Sequence, residues 1–158
     1  MKKTYRTVLA PTDFSPGSRA ALDQLDRLWP AGARGRVHLV HVLEPLGFAA
    51  PPAPIWIDYN LAREDDARRR LERVSARLRQ RLGSAVQVSL HVPTGVAHNE
   101  ICRLAAKLRA ELIVLGTHGR TGLTHVLLGS VAERVVRHAR CPVLTAPLAG
   151  ARRGRAAE

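Results

Sequence analysis

Leu112-Ile113-Val114-Leu115-Gly116-Thr117-His118-Gly119 carries an apolar run into glycines, and Gly129-Ser130-Val131 follows after nine intervening residues. The first four residues have the length and character of a strand, and Ser130 opens an amphipathic pattern of helical period. Glycines let a backbone approach a ligand closely or take positive φ. The first turn of a helix offers unpaired N–H groups and the positive end of a dipole. A strand that passes through a glycine-lined turn into a helix start therefore suits an anion such as a nucleotide phosphate.

The same alternation extends in both directions. Thr7 to Pro11 reads as a first strand, after which Ser15 supplies an N-cap and Pro16 the first helical position. That helix carries Leu22, Leu25 and Leu28 on one face and is expected to run to near Pro30. Val37 to Leu43 is nearly continuous in apolar residues, as in a strand buried on both faces. Pro45 to Pro54 reads as a long loop or lid. A helix from about Tyr59 to Leu82 follows, with Ala67, Leu71, Val74, Leu78 and Leu82 as its apolar stripe. Val86, Val88, Leu90 and Val92 alternate as a third strand, and Ile101, Leu104, Ala105 and Leu108 mark another helix. Leu112 to Leu115 is the fourth strand. Ser130 and Glu133 have the spacing of a capping box, and Val143 to Ala146 closes the series after Pro142. Residues from Leu148 onward read as a basic, disordered tail.

Strands alternating with helices imply an α/β fold, a parallel sheet with helices on both faces. Ligands of such sheets bind beyond the carboxyl ends of the strands, where the strand order reverses. If strands one and four are neighbours, Pro11-Thr12-Asp13 and Gly116 converge on one crevice.

With 158 residues, 46% of them apolar, the chain is long enough for one domain with a proper core. Behind Met1-Lys2-Lys3 the apolar run is only Val8-Leu9-Ala10, too short for a signal sequence, and no stretch approaches a membrane span. A cytoplasmic protein without membrane partners is expected. Cys102 and Cys141 are far apart in the chain, with no metal-ligand spacing, and read as two reduced core thiols.

The net charge of +12 is concentrated in the long helix, at Arg63, Arg68, Arg69, Arg70, Arg73, Arg77, Arg79 and Arg81, and in the tail at Arg152, Arg153 and Arg155. Nucleic-acid or acidic-partner binding is one reading and a solvated helix face the other. No aromatic residues are interleaved with these arginines. Specific nucleic-acid binding is therefore not expected, whereas weak, salt-sensitive attraction to polyanions is. His38 and His41 point to opposite faces of a strand and cannot share a metal. His118 and His125 read as loop histidines, and Arg120 suits either a phosphate or solvent.

The glycine segment is neither a Walker A loop, lacking Gly-Lys-Ser/Thr, nor GxGxxG, since its first glycines are three apart. The phrase from Leu115-Gly116-Thr117-His118-Gly119 through Leu128-Gly129-Ser130-Val131 instead resembles the universal stress protein family, whose ATP-binding members share G-x2-G-x9-G-[S/T]. Pro11-Thr12-Asp13-Phe14-Ser15 resembles that family's opening strand and turn, and Cys141-Pro142-Val143-Leu144 its closing strand. The likeness spans Thr4 to Pro147.

The resemblance implies a doubly wound five-stranded sheet of order 3-2-1-4-5 and a homodimer joined through the last strand, Val143 to Ala146. It implies ATP as ligand, with Mg²⁺ held mainly by phosphate and water. Asp13, with Pro11 and Thr12 beside it, would contact the ribose or a phosphate-bound metal. The Val42 backbone would hold the adenine edge, and Leu115 and Gly116 the ribose side. Gly119, Gly129, Ser130 and Val131 would take the phosphates through backbone N–H groups, helped by the Ser130 hydroxyl. Read without the family, Gly129 also suits a turn, Ser130 a cap, and Asp13 a cap for the first helix. There is no nucleophile–base pair, no carboxylate pair and no P-loop lysine. The expectation is a nucleotide-dependent stress or regulatory module with at most slow ATP hydrolysis; the alternative is an interaction module that uses its arginine-rich helix and tail.

Overall fold

Five strands lie parallel in one sheet: β1 (Thr7–Pro11), β2 (Gly35–Val40), β3 (Val86–His91), β4 (Leu112–Gly116) and β5 (Val143–Ala146), in the order β3-β2-β1-β4-β5. The computed structural model describes residues 5–29, 34–45, 53–117 and 128–147. Four helices connect the strands: α1 (Pro16–Leu22), α2 (Ala53–Leu82), α3 (Ala97–Lys107) and α4 (Ser130–His138). The order reverses between β1 and β4, whose registered pairs are Val8 with Leu112 and Leu9 with Ile113. Strands one and four are thus neighbours, and the crevice expected from the sequence forms between their carboxyl ends.

Every residue of β1 is buried, because helices cover both faces of the sheet. Side chains alternate across the sheet with period two. Val8, Ala10, Val37, Leu39, Val88, Leu112 and Val114 pack on one face with Ala21 and Leu22 of α1 and Leu71 and Leu78 of α2. Leu9, Val40, Ile113 and Leu115 pack on the other with Ile101, Leu104 and Ala105 of α3 and Ala132 and Val135 of α4. The stripe anticipated for α2 faces the core, with Val74 and Leu82 at its margins.

Local chemistry shifts several boundaries. The first helix ends at Leu22 and does not reach Pro30; Leu25–Arg27 is a separate 3₁₀ turn. Leu22, Leu25 and Leu28 are spaced by three, which a three-residue turn keeps on one face. Arg81 of α2 bridges Asp23 and Asp26 and holds the junction. β2 stops at Val40, short of Leu43, which makes only an isolated bridge to Thr94. β3 ends at His91, so Val92 lies beyond it; Pro93, two residues on, brings no N–H to a ladder. α2 begins at Ala53, six residues before Tyr59, with Pro54 in the first turn where no N–H is missed. The proline-rich lid reading otherwise falls on residues 46–52, outside the described residues.

The capping box does not form. Gly129 is the N-cap of α4, Ser130 is already its first helical residue, and Glu133 pairs with Arg137. Cys102 and Cys141 are both unpaired and half-buried against the same apolar cluster. Burial pushes both thiols up, with Cys102 adding to the effect at Cys141, so both are protonated at neutral pH. Among the described residues no helix is long and apolar enough to cross a membrane. His118, Gly119, Arg120, His125 and the tail lie outside the described residues.

Candidate functional site

The turn after β1 is built by its own side chains. Thr12 Oγ1 accepts the Phe14 N–H at 3.0 Å and lies 3.0 Å from Ser18 Oγ. Asp13 Oδ1 accepts the Ser15 N–H at 3.0 Å. Ser15 is the helix cap, its hydroxyl accepting the Ser18 N–H at 3.2 Å. Asp13 therefore does not cap α1, and its carboxylate is directed by the turn. Burial pushes this carboxyl up, but hydrogen bonds from Ser15 and Ser18 outweigh it and hold the group below the ordinary range. Asp13 is ionised at neutral pH.

Phe14 has a φ of 65°, a conformation that costs a bulky residue roughly 1–3 kcal/mol and marks a constrained turn. Its ring is held between two elements. The Arg70 guanidinium of α2 lies 4.0 Å from the ring centroid, and the His41 ring centroid lies at 4.5 Å. His41 in turn places Nδ1 2.8 Å from the Thr12 carbonyl oxygen. A carbonyl only accepts, so Nδ1 carries the proton. The stack ties α2, the segment after β2 and the Asp13 turn together.

Gly116 has a structural reason for lacking a side chain. A Cβ there would lie 2.5 Å from the backbone carbon and oxygen of Gly17 and 2.9 Å from the Ser18 nitrogen. The close approach is that of α1 to β4. Beyond it, the Gly129 N–H donates to the Thr117 carbonyl oxygen at 2.6 Å, and the Thr117 N–H to the Ala146 carbonyl oxygen at 3.0 Å. The Gly129 donor is thereby committed to protein, contrary to the expectation that it faces a phosphate. The N–H groups of Ser130 and Val131, in the first turn of α4, have no acceptor within the helix.

These parts surround one cleft of about 470 Å³, within the range of small-molecule sites. Pro11, Thr12 and Asp13 line it from β1, Leu115, Gly116 and Thr117 from β4, and Gly129, Ser130 and Val131 from the start of α4. Val40 at the end of β2, Val42 and Leu43 after it, and Ala97 and Ile101 of α3 supply apolar lining. The start of α4 adds its N–H groups and positive dipole. Of the expected site residues, all but Gly119, which lies outside the described residues, come together here.

Reading the sequence missed Arg63, His41, Glu44 and Thr117. Arg63 counted as one arginine on a charged helix, yet α2 carries it to the cleft mouth, where its Nη2 donates to the Glu44 carbonyl oxygen at 3.0 Å. Charged groups among the described lining residues are Asp13, Glu44 and Arg63, with no lysine. A polyanion here would rely on helix N–H groups, the dipole and an accompanying cation. Among the described residues there is no cluster of three His, Cys, Asp or Glu to hold a metal alone. The ionised Asp13 fits one ligand of an ion otherwise held by phosphate and water.

Comparison with known proteins agrees with this architecture. The Universal stress protein family profile matches residues 4–147. Universal stress protein MJ0531 of Methanocaldococcus jannaschii is 34% identical over 141 residues, covering 89% of this chain and 81% of the relative. The solved structure of MJ0577 superposes with a TM-score of 0.82 at 28% identity, covering 92% of this chain and 97% of that one. An Arabidopsis thaliana family protein solved with AMP bound shares the fold, with a TM-score of 0.60 at 20% identity over 90% of this chain and 91% of that one. Matched from before the first strand to the end of the last, with the strand order the fold requires, the chain belongs to the universal stress protein family.

Proposed function

We propose that this chain binds ATP, with Mg²⁺, in the cleft between β1, β4 and α4, and acts as a nucleotide-dependent stress or regulatory module. One observation carries the reading. The N–H groups of Ser130 and Val131, which have no acceptor within α4, share a cleft with the ionised Asp13 and with apolar side chains of β2 and α3. A base suits the apolar lining by Val42 and Ala97, and phosphates suit the helix start. Asp13 lines the same cleft and suits a ribose hydroxyl or a phosphate-bound cation. The AMP held by the Arabidopsis relative is in keeping with an adenine nucleotide. Mg²⁺ would offset triphosphate charge that the sparse basic lining leaves unmet.

The cleft argues for holding the nucleotide more than for consuming it. The protonated nitrogen of His41 is engaged with Thr12, and no lysine reaches the cleft among the described residues. Slow hydrolysis at most is the expectation. The outer edge of β5, where Leu144 is exposed, fits the homodimer anticipated through Val143 to Ala146.

Purification without added nucleotide, followed by identification of what the protein retains, tests the assignment directly. ATP titrated into the wild type and Gly129→Val by calorimetry completes it. Loss of binding in a folded variant supports the site, and equal affinity in the two proteins overturns it.

A further inference from the structure

The eight arginines of α2 fall into two sets once their partners are traced. Five are engaged. Arg63 donates to the Glu44 carbonyl and Arg79 to that of Val88, while Arg68 pairs with Glu64, Arg70 with Asp66, and Arg81 with Asp23 and Asp26. Arg69, Arg73 and Arg77 are exposed and make no ion pair among the described residues; Arg73 bonds only to the backbone oxygen of Arg69.

We propose that Arg69, Arg73 and Arg77 form a rail that binds the phosphate backbone of nucleic acid without regard to sequence. Spacing of i, i+4, i+8 sets them in one row about 12 Å long at 1.5 Å rise per residue. The row points outward because Leu71, Ser75 and Leu78 bury the opposite face of the same turns. Each strand of a B-form duplex presents a phosphate about every 3.4 Å along its axis, so the row spans three or four of them. Glu72 is the acidic residue within this stretch, and it sits about 60° around the helix from Arg69.

The chemistry of the surroundings selects the partner. Protein interfaces need an apolar or aromatic centre, and membrane-surface helices an apolar face. The exposed Tyr59 and Leu61 of α2 lie more than two turns before Arg69, and between the arginines the outward positions are small or polar, such as Ala76. A phosphate backbone asks only for repeated positive charge. With no side chain placed to read base edges, sequence-independent binding follows. The net charge of +12, which the nucleotide cleft does not explain, strengthens the attraction.

The test is anisotropy of a short labelled DNA duplex with the full chain, between about 50 and about 200 mM salt. The plot of log affinity against log salt is expected to lose about 2.7 of its slope in Arg69→Gln/Arg73→Gln/Arg77→Gln, at about 0.9 per phosphate contact. Melting temperature and ATP titration should stay at wild-type values, which separates this surface from the nucleotide site. The triple lysine variant should keep the slope, as should Arg103→Gln/Arg137→Gln, which removes two ion-paired charges on α3 and α4. A wild-type slope in the triple glutamine variant overturns the proposal, as does an equal loss in the paired-arginine control. Tighter binding to polyglutamate or to anionic phospholipid vesicles than to DNA overturns it too.

Discussion

The backbone N–H of Gly129 and the carbonyl oxygen of Thr117 meet at 2.6 Å, closing the base of the segment between β4 and α4. The third motif glycine therefore spends its donor on the fold. What remains for an anion are the N–H groups after it, at Ser130, Val131 and Ala132, which precede the first helical bond from Glu133 to Gly129, and this moves the weight of the site into the first turn of α4.

A proline at position 130 isolates that contribution. Gly129 is extended, at φ −66° and ψ 154°, which suits the residue before a proline, and Ser130 holds the first helical position that proline favours. Ser130→Pro should leave α4 folded while deleting one N–H and the hydroxyl. Loss of a donor to a charged group, worth about 1.5–3 kcal/mol, predicts an ATP affinity roughly ten- to a hundredfold weaker by calorimetry. Ser130→Ala keeps the N–H and should bind nearer to wild type.

Gly116→Ala should act on stability before ligand. Its Cβ would meet the Gly17 backbone at 2.5 Å, and backbone does not swing aside. Overpacking at such a contact costs about 1–3 kcal/mol, to be read from the urea midpoint without nucleotide. An unchanged midpoint would refute the account of Gly116 as a packing glycine.

His38 and His91 face each other on β2 and β3, Nδ1 to Nε2 at 3.0 Å. Burial pushes both imidazoles down from 6.5, helped at His38 by the charges of His91 and Arg36 and at His91 by that of Lys107. Unfolding releases them to take up protons wherever the pH lies between the depressed values and about 6.5. Stability is full above that window and falls as the pH drops through it. His38→Gln should flatten the acid limb of a stability–pH curve, and a limb as steep as wild type would speak against the pair.

Ser75 is 1% exposed on the core side of α2, and its hydroxyl has no hydrogen-bond partner among the described residues. An unsatisfied buried hydroxyl costs about 1–3 kcal/mol, and alanine is the better helix former. Ser75→Ala should therefore raise the urea midpoint by an amount equivalent to about 1 kcal/mol. A lower midpoint would show the hydroxyl to be engaged.

Apolar periodicity alone settled the element order, the parallel sheet and the faces that α2 and the strands bury, because burial requires one pattern for a helix and another for a strand. Resemblance in the Gly116 to Val131 phrase carried the strand order and the cleft position. Element ends were less legible. The short first helix, the early start of α2 and the N-cap at Gly129 depend on partners such as Arg81 and Thr117 that lie distant in the chain or in a neighbouring loop. The roles of Gly116, Arg63 and the free arginine row were beyond reach for the same reason. Whether a glycine serves a ligand or a passing helix, and whether an arginine is pinned or free, depends on what the tertiary fold brings within a few ångströms. No local pattern encodes that distance.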